Sequence, residues 1–147
     1  MSTLEQAVAL AAKSHEGQKD KFGRTYILHP LRIMMQMESE TEMIAAVLHD
    51  VVEDCDVSLE DLRTKGFSAE VLNAVDCLTH KQGESYGKYI DRCLLDPIAR
   101  KVKIADLEDN MDVKRIDKMR WKDASRLARY HEAWKKLRKA AAGTVIL

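Results

Sequence analysis

Apolar side chains recur at helical spacing along most of the chain. In one segment they fall at positions i, i+3, i+4 and i+7, on one face of a helix, at Ile44, Val47, Leu48 and Val51. No segment alternates between apolar and polar residues as a half-buried strand does. Two prolines and six glycines leave few places where helices would break. The pattern predicts an all-α fold, a compact bundle of about seven to eight helices.

Capping residues indicate where these helices begin and end. Thr3, with Gln6 three residues later, has the capping-box pattern, and Gly66 is an expected stop. His29 is expected at the mouth of the second helix, because Pro30 is tolerated in a first turn. The predicted helices run from Thr3 toward Gly17, from Pro30 through LRIMMQM, from Thr41 through Val51, from Ser58 to Gly66, from Ser68 through Leu78, from Tyr86 to Leu95, from Asp96 to about Met111, and from about Asp123 to Ala142.

Composition and charge narrow the classes of protein that the chain can belong to. At 147 residues it suits one domain, residues 1–147. Lys plus Arg and Asp plus Glu number 24 each, so no overall field attracts nucleic acid or an anionic membrane. No apolar run approaches the ~18 residues of a membrane span, and no signal peptide is recognisable. The scattered Cys55, Cys77 and Cys93 are expected to be small hydrophobes in a reducing cytoplasm.

The stretch VLHDVVEDCD carries one histidine and four acids, without a lysine or arginine. Like charges at helical spacing repel by roughly a few tenths of a kcal/mol per pair. On a helix, four of these residues share the face opposite the apolar stripe: His49, Asp50, Glu53 and Asp54. The face is either an ordinary solvated one or a site for a cation. An imidazole beside a carboxylate suits Mn²⁺, Fe²⁺ or Zn²⁺ better than Ca²⁺.

The segment PIARKVKIADLEDNM is apolar on two nearly opposite sides, which is typical of a buried helix. Asp106 and Asn110, one turn apart, then lie between apolar walls. Because an unpartnered buried carboxylate is very costly, Asp106 must pair, bind metal or take up a proton. Two alternatives follow: Lys101 or Lys103 pairs with it from the same helix, or it shares a metal with the His-Asp doublet at 49–50.

A shared metal needs a further ligand, and His29 at a helix mouth is the candidate. Spacing alone does not separate His29 from the other histidines. Those are expected to be structural or merely exposed: His15, His80 and His131.

Three motifs, in this order and at these separations, resemble the HD-domain hydrolases of the RelA/SpoT type: GQKDKFGRTYILHP, AAVLHDVVED and VKIADLEDN. The chain is similar above all to the small stand-alone alarmone hydrolases, from about residue 3 to residue 116, and the likeness weakens in the last helix. The resemblance implies an HD-domain helical bundle that hydrolyses the 3′-pyrophosphate of ppGpp or pppGpp. The products would be GDP or GTP and diphosphate.

The resemblance also implies roles for individual residues. Four positions match those that bind one Mn²⁺ in the family: His29, His49, Asp50 and Asp106. Two match the residues that serve the attacking water and the leaving group: Glu53 and Asp54. Three match residues that line the substrate pocket: Lys21, Tyr26 and Asn110. Another divalent transition metal in place of Mn²⁺ stays open.

One loop departs from the family pattern. Family members often carry Arg-Lys-Ser before the Tyr-Ile-x-His-Pro motif, and the arginine packs against guanine. Here the three residues are Asp20, Lys21 and Phe22, so an anion replaces the cation and the preferred base stays open. The alternatives are an HD phosphohydrolase acting on an adenine alarmone or on NADPH, and a non-catalytic HD protein that binds a partner.

The end of the chain carries two further features. The basic segment AWKKLRKA is interpreted as a solvated helix face, and not as a nucleic-acid surface. The apolar end TVIL follows Gly143 and either folds back on the bundle or pairs with a neighbouring chain. A homo-oligomer therefore stays open, as does the physiological metal.

Overall fold

The computed structural model describes residues 1–143, which form nine α-helices and one short 3-10 helix. The helices are α1 (Leu4–Ser14), α2 (Leu28–Met34), α3 (Glu40–Leu48), α4 (Val51–Asp54), α5 (Leu59–Thr64), α6 (Ala69–Leu78), α7 (Tyr86–Leu95), α8 (Pro97–Asn110), the 3-10 helix (Val113–Arg115) and α9 (Trp121–Gly143). Within these residues there is no strand, only one isolated antiparallel bridge between Lys19 and Thr25. The predicted all-α fold is confirmed. The end TVIL, for which two arrangements were predicted, lies outside the described residues.

Several helix ends are capped as the sequence predicts. Thr3 accepts from the Gln6 N–H while the Gln6 side chain accepts from the Thr3 N–H, a complete capping box. Ser58 caps α5, and Gly66, at φ 92°, follows the end of that helix. Asp96 caps α8 by accepting two backbone N–H bonds, each 2.9 Å.

Three helix starts differ from the prediction. α2 begins at Leu28, two residues before the predicted Pro30, so His29 lies within its first turn. Ser39, not Thr41, caps α3, and it forms a capping box with Glu42 that Thr41 has no acid in position to form. The last helix begins at Trp121, two residues before the predicted Asp123.

The predicted third helix is two helices, because the chain bends at the His-Asp doublet. α3 ends at Leu48, and α4 begins at Val51. In a continuous helix the Ala46 carbonyl would accept the Asp50 N–H, but the ring Nδ1 of His49 lies 2.6 Å from that oxygen and competes for it. The expectation that these residues occupy one face of a single helix is therefore wrong, and the doublet lies at a junction.

The two central helices, α3 and α8, are buried on more than one side. All residues from Ile44 to Leu48 of α3 are buried, as are those from Val102 to Leu107 of α8. Ala45 and Ala46 belong to the same apolar cluster as Ala105. Because their side chains are small, the two helix backbones can approach closely. This packing brings the end of α3 against the middle of α8.

The long helix α9 packs on the core through Ala133 and Leu137. Lys136 on its polar face pairs with Asp91 of α7, and Lys135 lies 3.8 Å from Glu132. These are the ion pairs of a solvated helix face. Neither α9 nor any other helix within residues 1–143 has an apolar stretch long enough to cross a bilayer.

Candidate metal centre

Three distant segments bring the four predicted metal ligands together. His29 comes from the first turn of α2, His49 and Asp50 from the α3–α4 junction, and Asp106 from α8. The Nε2 atom of His29 lies 2.9 Å from Asp106 Oδ1 and 3.9 Å from Asp50 Oδ2. The Nε2 atom of His49 lies 3.0 Å from Asp50 Oδ2 and 3.5 Å from Asp106 Oδ1. Two imidazole nitrogens and two carboxylate oxygens thus face a common point.

The other ring nitrogen of each histidine is already bonded. His49 Nδ1 lies 2.6 Å from the Ala46 carbonyl, and His29 Nδ1 lies 2.7 Å from Asp109 Oδ2. The Ala46 carbonyl and the ionised Asp109 only accept, so each Nδ1 carries a proton, and each Nε2 can offer its lone pair to a metal that displaces the second proton of the ring. His49 Nε2 is buried and has no aligned hydrogen-bond partner. This mixed set of nitrogen and oxygen ligands suits a divalent transition metal, and a bound metal would give the His49 Nε2 atom a partner.

Electrostatics keep the two carboxylates of this centre ionised. Burial raises the pKa of Asp50, but the His49 imidazole lowers it more, to about 2. Burial likewise opposes ionisation of Asp106, yet the Lys103 ammonium and both imidazoles hold its pKa well below the usual range. In turn, burial disfavours the charged form of His49, while Asp50 raises its pKa well above normal. Both carboxylates are therefore ionised and can bind a cation, which would take the place of the protons held by the imidazoles.

Lys103 and the histidines contact different oxygens of Asp106. The Lys103 Nζ lies 2.7 Å from Oδ2, and both side chains are buried. Oδ1 instead faces the two imidazoles and accepts from Asn110 Nδ2 at 3.1 Å. Of the two lysines considered from the sequence, Lys101 turns outward to Glu42. Pairing with lysine and facing the histidines are thus compatible, because they use separate atoms of one carboxylate.

The two predicted catalytic acids lie on α4 beside the ligands. Carboxylate oxygens of Asp50, Glu53 and Asp54 lie within 4.8 Å of one another. Glu53 accepts from the backbone N–H of His80 at 2.6 Å. Tyr26 donates to Asp50 and lies 3.4 Å from Asp54. Partial burial, with Asp50 and Glu53 nearby, raises the pKa of Asp54 to about 6, so this group can exchange a proton near neutral pH.

A cavity of about 370 Å³ opens onto this centre. The three residues predicted to contact substrate all line it: Lys21, Tyr26 and Asn110. Lys21 lies at the exposed rim, where partial burial and then the Arg126 charge lower its pKa. The cavity wall also includes residues that sequence reasoning missed: Arg32, His80, Tyr86, Tyr89, Asp109, Arg115 and Tyr130. Asp109 lies in the motif VKIADLEDN, where its contact with His29 is not visible from spacing. The others belong to none of the three motifs, and tertiary packing brings them together from α2, the α6–α7 turn, α7, the 3-10 helix and α9.

The unusual Asp20 has a structural task in the loop. Its Oδ1 accepts the backbone N–H groups of Phe22 and Arg24, each at 2.9 Å. The carboxylate is therefore held within its own turn. The Phe22 ring lines the cavity, and the Arg115 guanidinium carbon lies 5.9 Å from its centre. An aromatic ring and a guanidinium from elsewhere in the chain thus lie on this side of the cavity.

The remaining histidines differ in their distance from the site. His80 lines the cavity and stacks on Tyr89, with ring centres 4.8 Å apart. His15 is buried, and its ring packs 4.8 Å from that of Tyr26. His131 is exposed on α9. The expectation of a structural or exposed role agrees with the surroundings of His15 and His131, whereas His80 faces the cavity.

This chain is similar in sequence to a known domain family and to longer proteins that contain a matching segment. A family model described as "HD domain" matches residues 7–86. The guanosine-3′,5′-bis(diphosphate) 3′-pyrophosphohydrolase of Vibrio cholerae is 34% identical over 126 residues, which cover 76% of this chain and 18% of that protein. The GTP pyrophosphokinase of Streptomyces coelicolor is 35% identical over 122 residues, 74% of this chain and 14% of that protein. The chain spans less than a fifth of the length of these relatives.

A solved structure shares the fold. It is that of a metazoan ortholog of SpoT, described as hydrolysing ppGpp, with a TM-score of 0.78 and 23% sequence identity. The match covers 95% of this chain and 88% of that one. At this identity the likeness shows a common helical architecture.

Proposed function

The chain belongs to the HD domain family, and we propose that it is a metal-dependent phosphohydrolase of guanosine alarmones. It would remove the 3′-pyrophosphate of ppGpp or pppGpp and release GDP or GTP and diphosphate, with Mn²⁺ as its metal. The convergence of two imidazoles and two carboxylates below one cavity carries this proposal. The relatives named as 3′-pyrophosphohydrolases of guanosine-3′,5′-bis(diphosphate) support the choice of substrate.

The metal would be held by the four convergent side chains: His29, His49, Asp50 and Asp106. When bound, the cation would polarise the phosphoryl group and lower the pKa of a bound water. Tyr26 supports this arrangement, because its hydroxyl donates to Asp50 and keeps that carboxylate oriented.

Glu53 and Asp54 would divide the proton transfers between them. Glu53 lies on the cavity wall next to Asp50, where its carboxylate can orient the attacking water and take its proton. Asp54, with a pKa of about 6, is protonated often enough near neutral pH to give a proton to the leaving 3′ oxygen. Acid–base assistance of this kind contributes ~10²–10⁴ in rate.

Substrate contacts would lie on two sides of the cavity. Lys21 at the rim neutralises diphosphate charge, and Asn110, tied to Asp106 by a 3.1 Å hydrogen bond, holds the nucleotide sugar. Asp20 is held in its turn, so the usual loop arginine has no counterpart there. A screen of ppGpp, an adenine alarmone and NADPH with Mn²⁺ present therefore tests the base preference.

The central experiment is to incubate the Mn²⁺-loaded protein with ppGpp and to measure GDP and pyrophosphate. Asp106→Ala is expected to abolish turnover, and Glu53→Gln to slow it by ~10²–10⁴ while Mn²⁺ still binds. Glu60→Gln, an exposed acid on α5, is the matched control and should match the wild type. Unchanged turnover in Asp106→Ala would contradict the metal assignment. Metal analysis of the purified protein separates this function from a non-catalytic, partner-binding role.

A further inference from the structure

We infer that Asp109 is a positioning residue that orients His29 for metal binding, and that Arg32 and Arg115 hold Asp109 in place. This inference rests on the proposed metal centre and deepens it. It concerns a carboxylate that does not face the metal position itself but contacts the far side of a ligand.

The contacts of Asp109 are specific in direction. Its Oδ2 lies 2.7 Å from His29 Nδ1, the ring nitrogen that points away from the other ligands. The Arg32 guanidinium grips the same carboxylate with two bonds, of 2.8 Å to Oδ1 and 2.9 Å to Oδ2. A bidentate interaction of this kind fixes the plane of the carboxylate as well as its position.

Arg115 completes the support from the other side. Its guanidinium donates to the backbone carbonyl of Asp109 and lies 3.6 Å from Oδ2. The side chains of Asp109 and Arg115 are only 13% and 11% exposed. Two guanidinium groups therefore surround one carboxylate in a largely desolvated place. Their charges offset the negative charge that Asp109 would otherwise add next to Asp106.

The two histidines of the centre are oriented by different means. His49 donates to the Ala46 carbonyl, a neutral backbone group that no substitution removes. His29 donates to a carboxylate, which makes its ring a more basic ligand than a carbonyl would. Asp109 lies three residues after Asp106, so both point from one side of α8. One helix thus supplies a ligand and also orients the ligand that comes from α2.

The test compares Mn²⁺ affinity, measured by titration calorimetry, in three variants. Asp109→Ala removes the acceptor and is expected to weaken binding by about 10–100-fold. Asp109→Asn keeps an oxygen that can accept from Nδ1, so its loss should be smaller. Glu108→Gln makes the same change of charge at the neighbouring, exposed acid of α8, which accepts from Trp134, and should leave the affinity unchanged.

A second readout separates orientation from general damage. Nitrogen-15 spectra of the imidazoles in metal-free protein at high pH report which ring nitrogen carries the proton. Wild-type His29 should be protonated at Nδ1, and Asp109→Ala should shift the proton toward a mixture of both nitrogens. If Asp109→Ala does not fold, Asp109→Asn and Arg32→Gln are measured instead, and both should weaken Mn²⁺ binding. Wild-type affinity and wild-type proton position in the folded variants would overturn the inference.

Failure of this inference is distinguishable from failure of the metal centre. His29→Ala and Asp106→Ala should each weaken Mn²⁺ binding more than any Asp109 variant. If they do so while Asp109→Ala binds Mn²⁺ normally, only the role of Asp109 is wrong. If neither of them changes the affinity, the centre itself lies elsewhere and the role of Asp109 falls with it.

Discussion

The cavity has two contrasting walls. The metal wall is formed by His29, His49, Asp50 and Asp106, whose side chains are between 2% and 14% exposed. The rim is formed by Lys19, Asp20, Lys21 and Phe22, of which the two lysines are exposed. On the metal wall every charge must have a partner, because burial without one is costly. On the rim water solvates the two lysines, so a change at Lys19 or Lys21 has little effect on folding, whereas Asp20 bonds to two backbone N–H groups of its own turn.

This contrast predicts that the two walls tolerate substitution differently. A residue of the metal wall is constrained by the protein's stability as well as by its chemistry. Lys19 and Lys21 of the rim are constrained mainly by what they bind, so the rim is where we expect related proteins to change substrate. Asp20, an anion at the position where the family resemblance predicts an arginine, is a candidate for such a change.

The largest effect is expected from removing the buried cation behind the metal wall. Lys103→Met leaves Asp106 Oδ2 without the ammonium that now lies 2.7 Å away. Removing one partner of a buried ion pair lowers the free energy of unfolding by about 3 kcal/mol or more. We expect the free energy of unfolding of the metal-free protein, measured in urea, to fall by that amount.

Lys101→Met is the matched control for Lys103→Met. It removes the same side chain two residues earlier on α8, where the partners Glu38 and Glu42 lie 3.3 and 3.2 Å away and Glu38 is well exposed. An exposed pair contributes less than ~1 kcal/mol. Equal losses in both variants would mean that burial does not set the cost of removing a lysine from α8.

An intermediate effect is expected at the rim. Lys21→Ala removes a charge that would contact substrate but supports no buried group, so folding should be unaffected. The loss of one charged contact corresponds to about a tenfold rise in KM, with kcat nearly unchanged. Steady-state kinetics with ppGpp measure both constants, and Lys13→Ala on the exposed side of α1 is the control. A large fall in kcat instead would place Lys21 in the chemical step.

The smallest effect is expected from Asp54, where the two walls meet. Its pKa is raised to about 6 in the folded protein, above the value of about 3.9 for an unfolded chain. The folded state therefore binds the proton more tightly, so ionised Asp54 costs stability above pH ~6, and this cost disappears as the pH falls toward ~4.

Asp54→Asn should accordingly stabilise the metal-free protein at about pH 7.5 by less than ~1 kcal/mol, since the group is partly solvated. The gain should be smaller at about pH 4.5, where the wild-type group is already largely neutral. Urea denaturation at both values measures it. An identical gain at both would show that the raised pKa of Asp54, which comes from burial and then from Asp50 and Glu53, is not the cause.

Sequence reasoning brought forward Asp106 and the His-Asp doublet because burial and charge leave a pattern, whereas His29 was singled out by the family resemblance. Apolar residues on two sides of α8 indicate that Asp106 is buried, and the acids without counter-charges mark the doublet. The bend at His49 could not be predicted from the sequence, because it depends on the His49 ring competing with a backbone N–H for the Ala46 carbonyl. Arg115 and Tyr130 were also out of reach. They enter the cavity through the packing of distant helices, which no local spacing encodes.

The position of α8 has a consequence for how this chain can change its length. Asp96 caps the first turn, and Lys103, Asp106, Asp109 and Asn110 follow on one uninterrupted helix. One residue inserted between the cap and Lys103 would rotate all four by about 100°. They would leave the site together, whereas the turn between α6 and α7 can lengthen without moving them. Insertions and deletions in related chains should therefore avoid this stretch and gather in the loops.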